Sequence, residues 1–479
     1  MPKLTTIMES ILFWAGMTLV IFIPLFMKFP LVRIGGSFVS VRTEDVLILL
    51  TYLVWAGYLV LSGQIRGFLK DKLNQAFLVF FLIGGISAFS GTLLTHTTTA
   101  NISILHLARR IEILLFLPFF ASVVKSKRRA YVLLGTFSVV VFLASIYALG
   151  QRYLGFPAVS TTNAELAQGV IYYIQPFGRI ISTFAGHYDL AIFLVMALTI
   201  ISSVIFYFMQ KKNMLYVGWL GFLGILSGVV LVMTAARLSF VAAFGGIILA
   251  LILAGKKKFI LLIFVLAALA LAYPSQLRDR FVSTFTVNIL KSWQTYFNNS
   301  STGSKLNIPT LPKFGPVRQP KEASDETALT SPDIVPGEPV DITDLGVYRS
   351  FEIRIRAEWP RAIRAFIKNP LLGTGYSSVG LAVDNDILRS LGEVGVLGTF
   401  AFFLVIYETV KRIISIYRSQ SGFVKYLSGG VLAMVFAFIV NSLFIDVFEA
   451  SKTGSIFWMI LGITLALGKL SERKNVKAI

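Results

Sequence analysis

Residues 188–209 read YDLAIFLVMALTIISSVIFYFM, with Asp189 as the sole charge. About 20 apolar residues are enough for a helix to cross the roughly 30 Å hydrocarbon core of a bilayer. Working outward, segments of the same kind recur at 8–27, 45–62, 75–94, 102–124, 131–149, 214–233, 238–254, 259–273, 395–410, 427–446 and 455–468. With 188–209, the pattern predicts an all-α membrane protein of about 12 transmembrane helices. One large loop separates the ninth from the tenth. The first segment lacks a small-residue cleavage site and reads as a retained span. No internal repeat is visible.

Composition agrees. The 479 residues are 56% hydrophobic and 14% charged, with a mean hydropathy of +0.76. That excludes an ordinary soluble enzyme and a disordered chain. There is no cysteine, hence no disulfide and no thiolate metal site.

The formal charge is +20 at pH 7. A basic balance raises the question of nucleic acid, and the positions answer it. Basic clusters lie at 66–72, 125–129, 211–212, 256–258, 411–425 and 469–477. These loops all fall on one side of a twelve-span chain. Short cytoplasmic loops carry the Lys and Arg excess. The expectation is a multi-pass protein of the cytoplasmic (inner) membrane with both termini cytoplasmic. Its partners include membrane lipids but no nucleic acid.

The chain then divides into spans 1–9 over 1–273, an extracytoplasmic loop domain over 274–394, and spans 10–12 with a cytoplasmic tail over 395–479. Within the loop, 278–297 has Phe281, Phe285, Ile289 and Trp293 at helical spacing. Residues 298–345 are rich in Ser, Thr, Pro, Asp and Glu, and read as a disordered insertion. From 347 order returns. Pro360 belongs in the first turn of a helix or at a kink. Asn369-Pro370 stops that helix, and the glycines of NPLLGTG (369–375) make a tight turn. A second helix starts near Val383 and runs towards the tenth span.

Ionisable residues at span edges are costly, which makes them candidates for function. Arg179 lies in GRIISTFAGHYDLA (178–191), just before His187 and Asp189. A guanidinium grips phosphate with planar forked donors. It also serves as a plain interfacial anchor. Arg237, in TAARLSF (234–240), faces the same two readings. Arg109 and Glu112 in LHLARRIEIL (105–114) sit at i,i+3 and suit an internal pair. His106, one turn earlier, reads as structural.

The big loop holds Arg349, Arg354, Arg356 and Arg361 before the turn, then Arg364 and Lys368 on what reads as a solvated face. Asp384, Asn385 and Asp386 follow the turn, with Glu393 further on. Such carboxylates either pair with the arginines or act as a general base opposite a phosphate clamp. No phosphate-cradling lysine loop, dinucleotide fingerprint or metal-ligand spacing occurs.

These residues resemble the O-antigen ligase and O-antigen polymerase family of membrane glycosyltransferases. The family pattern is a tryptophan helix, an Asn/His-Pro-Leu-x-Gly-x-Gly turn, a His-Asn or Asp-Asn pair, then Leu, Glu and Gly-x-x-Gly. Here it reads EWPRAIRAFIKNPLLGTG (358–375), then AVDNDILRSLGEVGVLG (382–398). An upstream Arg-x-x-Ser-Thr-Phe motif matches GRIISTF (178–184), and Thr-x-Ser-Arg is matched loosely by TAARLS (234–239). The resemblance covers about 170–410.

It implies that a glycan moves from a polyprenyl diphosphate carrier to an acceptor hydroxyl at the outer face of the membrane. The context would be surface-polysaccharide or lipopolysaccharide biosynthesis in the cell envelope. The carrier-linked donor and a glycan or lipid acceptor are the implied partners, with no metal and no cofactor. Arg179, Arg237 and Arg354, then Arg349, Arg356 and Arg361, are the diphosphate-binding candidates. Asp384 with Asn385 would be catalytic, Asp384 as base or as the group that orients the acceptor. Ligases commonly carry histidine at that position, so the aspartate weakens a lipid-core ligase reading. The alternative class is a transporter or flippase of lipid-linked glycans. Paired halves with broken helices would favour it, and the sequence shows none.

Overall fold

The computed structural model describes residues 2–33, 40–161, 166–175, 178–286, 342–380 and 382–476. Seventeen helices occur among them. The first ten are α1 Pro2–Leu25, α2 Thr43–Leu61, α3 Ile65–Lys70, α4 Lys72–Leu93, α5 Ala100–Leu114, α6 Phe116–Val123, α7 Lys127–Tyr153, α8 His187–Gln210, α9 Met214–Met233 and α10 Arg237–Leu253. The rest are α11 Ile260–Ala272, α12 Gln276–Thr286, α13 Ile342–Ile353, α14 Trp359–Lys368, α15 Asp386–Ser419, α16 Gly422–Ser442 and α17 Ser451–Val476. A π-helical turn, Arg354–Glu358, joins α13 to α14. Among the described residues the sheet is limited to two small antiparallel ribbons: β1 Pro30–Arg33 with β2 Ser40–Arg42, and β3 Pro157–Val159 with β4 Ile171–Tyr173.

Among the described residues nine helices are long and apolar enough to cross a membrane: α1, α2, α4, α7, α8, α9, α15, α16 and α17. The chain is therefore an all-α, multi-pass membrane protein. Three expected spans differ in form. Residues 102–124 are two helices, α5 and α6, with the break at Leu115. Pro118 explains it, because its nitrogen cannot donate to the carbonyl of Leu114. The span at 238–254 is the short α10, of 17 residues. The span at 259–273 is α11, which meets α12 at a 92° bend. Pro274 and Ser275 occupy that corner.

The most deeply buried long helices are α8 and α17. The first packs on α9, α10 and α16, the second on α5, α6, α7, α15 and α16. Small residues let these backbones approach. A Cβ on Gly246 would lie 2.7 Å from Thr199 and 2.9 Å from Ala437, and one on Gly462 would lie 2.5 Å from the Leu117 carbonyl oxygen. On the periphery the pattern inverts. Leu53 of α2 and Leu82 of α4 are 60% and 66% exposed, as lipid-facing positions should be.

The loop domain is described over 274–286, 342–380 and 382–394. Phe281 and Phe285 lie on α12 with ring centroids 5.7 Å apart. Ile289, Trp293 and most of the 298–345 insertion fall outside the described residues. Pro360 is the second residue of α14. The expected second helix begins at Asp386 and bends at Gly395 (φ 66°) into the tenth span.

Candidate functional site

Three pieces of local structure fix the site. The first is the Gly-x-Gly turn, which lies along the bend of α15. Thr374 and Gly375 donate backbone N–H to the carbonyls of Gly392 and Glu393, both at 2.9 Å, and Val396 donates to the Pro370 carbonyl at 2.9 Å. A Cβ on Gly373 would meet Glu393 at 2.4 Å, and one on Gly395 would meet Leu371 at 2.4 Å. Both glycines also have positive φ. The two glycine motifs are thus one clasp, and no other residue fits at either place. Against it sits α4, where Ser87 donates its hydroxyl to the Glu393 carbonyl at 2.7 Å.

The second piece is a buried charge node beneath the clasp. Arg389 is 2% exposed. It pairs with Glu393 at 3.1 Å and Asp446 at 2.9 Å, and lies 3.6 Å from Glu449. Arg110 of α5 pairs with Glu449 and reaches Glu393 at 4.0 Å. Asp446 also accepts backbone N–H from Val383, Asp384 and Asn385, at 2.9, 3.1 and 3.3 Å. One carboxylate therefore holds three successive amides and fixes Asp384 in the left-handed region at φ 52°. Asp386 accepts from the amides of Val447 and Phe448 and ties the same two segments again.

The third piece is the Ser-Thr-Phe motif. Gln151 accepts from the amides of Ile181 and Ser182. The Ser182 hydroxyl donates to the Ala144 carbonyl, and that of Thr183 to the Pro24 carbonyl. Lys452 is buried over the Phe184 ring and donates to the carbonyls of Phe26 and Thr183 at 2.5 and 2.7 Å. This bracing sets the path of the chain that carries Arg179.

Arg179 donates to His187 Nε2 at 3.0 Å. Arginine has no acceptor, so that ring nitrogen carries no proton. Arg237, at the start of α10, donates to the Arg280 carbonyl at 3.1 Å and to the Thr284 hydroxyl. The Phe351 ring lies 5.8 Å from its guanidinium. The charges of Arg280, Arg354 and Arg179 all act on Arg237. Burial, and then the charge of Arg280, bring Arg179 down to about 10, still cationic at neutral pH. Arg280 is 7% exposed, and its Nη1 has no hydrogen-bond partner among the described residues.

Arg179, Arg237 and Arg280 form no ion pair among the described residues. Next to them, Arg354 pairs with Asp384 at 2.5 Å and donates to the Ser350 hydroxyl. Burial raises the Asp384 carboxyl above its ordinary value, and the Arg354 charge opposes the rise.

The remaining candidates have other surroundings. Arg356 is half exposed and pairs with Glu352, one turn earlier on α13, at 2.5 Å. Arg361 reaches the Val379 carbonyl at 3.4 Å, and Arg349 lies on α13. Asn385 caps α15: its side-chain oxygen accepts from the Leu388 amide at 2.9 Å, and its nitrogen donates to the Leu443 carbonyl at 3.0 Å. Asp384 is therefore not the cap. Arg109 pairs with Glu112 at 3.7 Å, as its spacing suggests, and with Asp45 at 2.9 Å. Asp189 faces the charges of Lys28, Lys452 and Arg42 rather than the arginine group.

Sequence reasoning missed Arg280, Glu358, Asp446 and Glu449. The acidic pair in FIDVFEA (444–450), in a short link between two spans, was the available signal. Arg280 carried none, lying in the stretch 278–297 that was read only for its apolar spacing. No protein-family model matches the chain, and no characterised protein matches its sequence.

Proposed function

We propose that this chain is a glycosyltransferase that moves a glycan from a polyprenyl diphosphate carrier to an acceptor hydroxyl, ligating or polymerising surface polysaccharide. The observation that carries the reading is the group of Arg179, Arg237 and Arg280, the last buried and the first two partly buried, without a carboxylate partner among the described residues. Bringing like charges together out of water is unfavourable unless an anion joins them. A diphosphate supplies two such anionic groups. The likeness of GRIISTF and NPLLGTG to the O-antigen ligase and polymerase pattern adds to it.

The chemistry follows from the charges. The acceptor oxygen bonds to the anomeric carbon while the bond from that carbon to the diphosphate oxygen breaks. The leaving electron pair settles on the diphosphate, and preplaced guanidiniums stabilise that growing charge. Because the donor is already activated, no nucleotide site is required. Arg354 and Asp384 stand next to the arginine group, and Asp384 orients the acceptor. Asn385, spent as a cap, positions Asp384.

In this reading the chain has twelve spans in the cytoplasmic membrane, with α5–α6, α10 and α11 among them. Both termini are cytoplasmic and 274–394 lies outside. The test is deletion of the gene followed by analysis of glycan length and attachment, with complementation by Arg179→Lys and Arg237→Lys. Unchanged glycans in the deletion strain would end the proposal. Reporter fusions after Lys257 and Ser324 should report opposite sides of the membrane. The same side for both would sink the topology.

A further inference from the structure

Most carboxylates around the clasp are committed. Asp384 is paired to Arg354, Asp386 caps two amides through Oδ2 although its buried Oδ1 has no partner among the described residues, Asp446 caps three, and Glu393 and Glu449 belong to the Arg389 node. Glu358 differs. It ends the π-helical turn, four residues after Arg354, and its Oε2 is buried with no hydrogen-bond partner among the described residues. The next residue, Trp359, likewise has a buried indole N–H without an acceptor. Unsatisfied buried polar groups are rare in a settled fold and call for an explanation. Two in sequence, beside Asp384, mark the place where a polar ligand completes the structure.

We infer that Glu358 is the general base that takes the proton of the acceptor hydroxyl, with Asp384 holding that acceptor in place. The inference rests on the transferase reading. The acceptor O–H proton passes to a Glu358 carboxylate oxygen as the oxygen bonds to the anomeric carbon. The bond to the diphosphate oxygen breaks, and its electron pair leaves with the diphosphate. Asp384 is the poorer base, because its carboxylate already serves Arg354 at 2.5 Å.

Four charged groups face Glu358: Asp384 from the turn before α15, Arg354 from its own turn, Asp446 from the α16–α17 link and Arg361 from α14. Burial, then the charge of Asp384, bring its carboxyl up to about 7. A base poised near the working pH has both a large ionised fraction and a useful proton affinity.

The experiment has three readouts on the full chain. Transfer is followed in membrane vesicles of the native host, using its own lipid-linked glycan. Binding is followed with undecaprenyl diphosphate, which carries no sugar, on the detergent-purified chain. The carboxylic acid band is titrated by infrared difference between the wild type and Glu358→Gln. Glu358→Gln is expected to bind undecaprenyl diphosphate as the wild type does and to transfer roughly 10²–10⁴-fold more slowly. Glu358→Asp, which keeps a carboxylate, should recover part of the rate. The band assigned to Glu358 should titrate near pH 7, and lower in Asp384→Asn. Transfer near the wild-type rate in Glu358→Gln overturns the inference and leaves the transferase reading standing. A band that titrates at the ordinary glutamate range overturns it as well. A wild-type chain that neither binds undecaprenyl diphosphate nor transfers glycan overturns both.

Discussion

Two groups of arginine, each with one buried member and the others partly buried, lie within one molecule and are built in opposite ways. Around Arg389 and Arg110 the charges close on themselves, with Glu393, Asp446 and Glu449 answering every cation. Around Arg179, Arg237 and Arg280 the cations meet carbonyls, a hydroxyl and a neutral histidine, and no carboxylate among the described residues. The first arrangement needs nothing more. Its work is to lock the α16–α17 link to α15 and so hold the turn at 383–385. The second is electrostatically incomplete and waits for an anion. A buried, saturated ion network and an unsaturated one look alike in a sequence, since both are arginines near apolar runs. Only their partners tell them apart.

The hardest way to break the comparison is to open the closed node. Arg389→Leu leaves Asp446 and Glu393 buried without their cation. Losing one partner of a buried pair costs about 3–5 kcal/mol. Folded protein recovered in detergent, and its thermal midpoint, should fall sharply. An undamaged thermal midpoint would show that the node is not what holds the turn.

The open group should respond in the reverse sense. Arg179→Lys, Arg237→Lys and Arg280→Lys keep the charge and lose the forked donor pair. Each should fold normally and transfer glycan about 10²-fold more slowly, the loss expected when one preorganised donor of a developing anion is removed. Full transfer activity in all three would remove the clamp.

A smaller effect belongs to Asn385, between the two groups. Asn385→Ala removes the cap of α15, worth about 1 kcal/mol. Thermal unfolding should show that loss while undecaprenyl diphosphate binding persists. Loss of binding instead would place Asn385 in the donor site itself.

Much of the fold was legible because hydrocarbon thickness sets span length. Nine of the predicted segments are single long helices. Of the other three, 102–124 is broken beside Pro118 and 259–273 is followed by a bend at Pro274, while 238–254 is one helix of 17 residues. Of the site, Arg179, Arg237, Arg354 and Asp384 were legible as ionisable residues at apolar borders or beside the glycine turn. Arg356 and Asn385 were also singled out, but spacing cannot say that one pairs with Glu352 and the other caps a helix. Asp446 could be noticed only as half of an acidic pair in a short link, because its partners, the amides of 383–385, lie some sixty residues away along the chain.

The finest test of the comparison concerns Glu358, a carboxylate that belongs to neither group. Its ordinary value of 4.5 is raised to about 7 in the fold, by burial first and then by Asp384. A raised carboxyl binds its proton more tightly in the folded state. Its stabilising contribution is therefore fully present below about 4.5, declines as pH rises towards 7, and is absent above that. Glu358→Gln is neutral at every pH and lacks this slope. The difference in thermal midpoint between the wild type and Glu358→Gln should thus change between pH 4.5 and 7 and stay level on either side. The wild type should lose ground as pH rises through that interval. A flat difference would mean that Glu358 keeps an ordinary acidity. It would then be solvated or paired, and the orphaned carboxylate that separates it from the closed node would not exist.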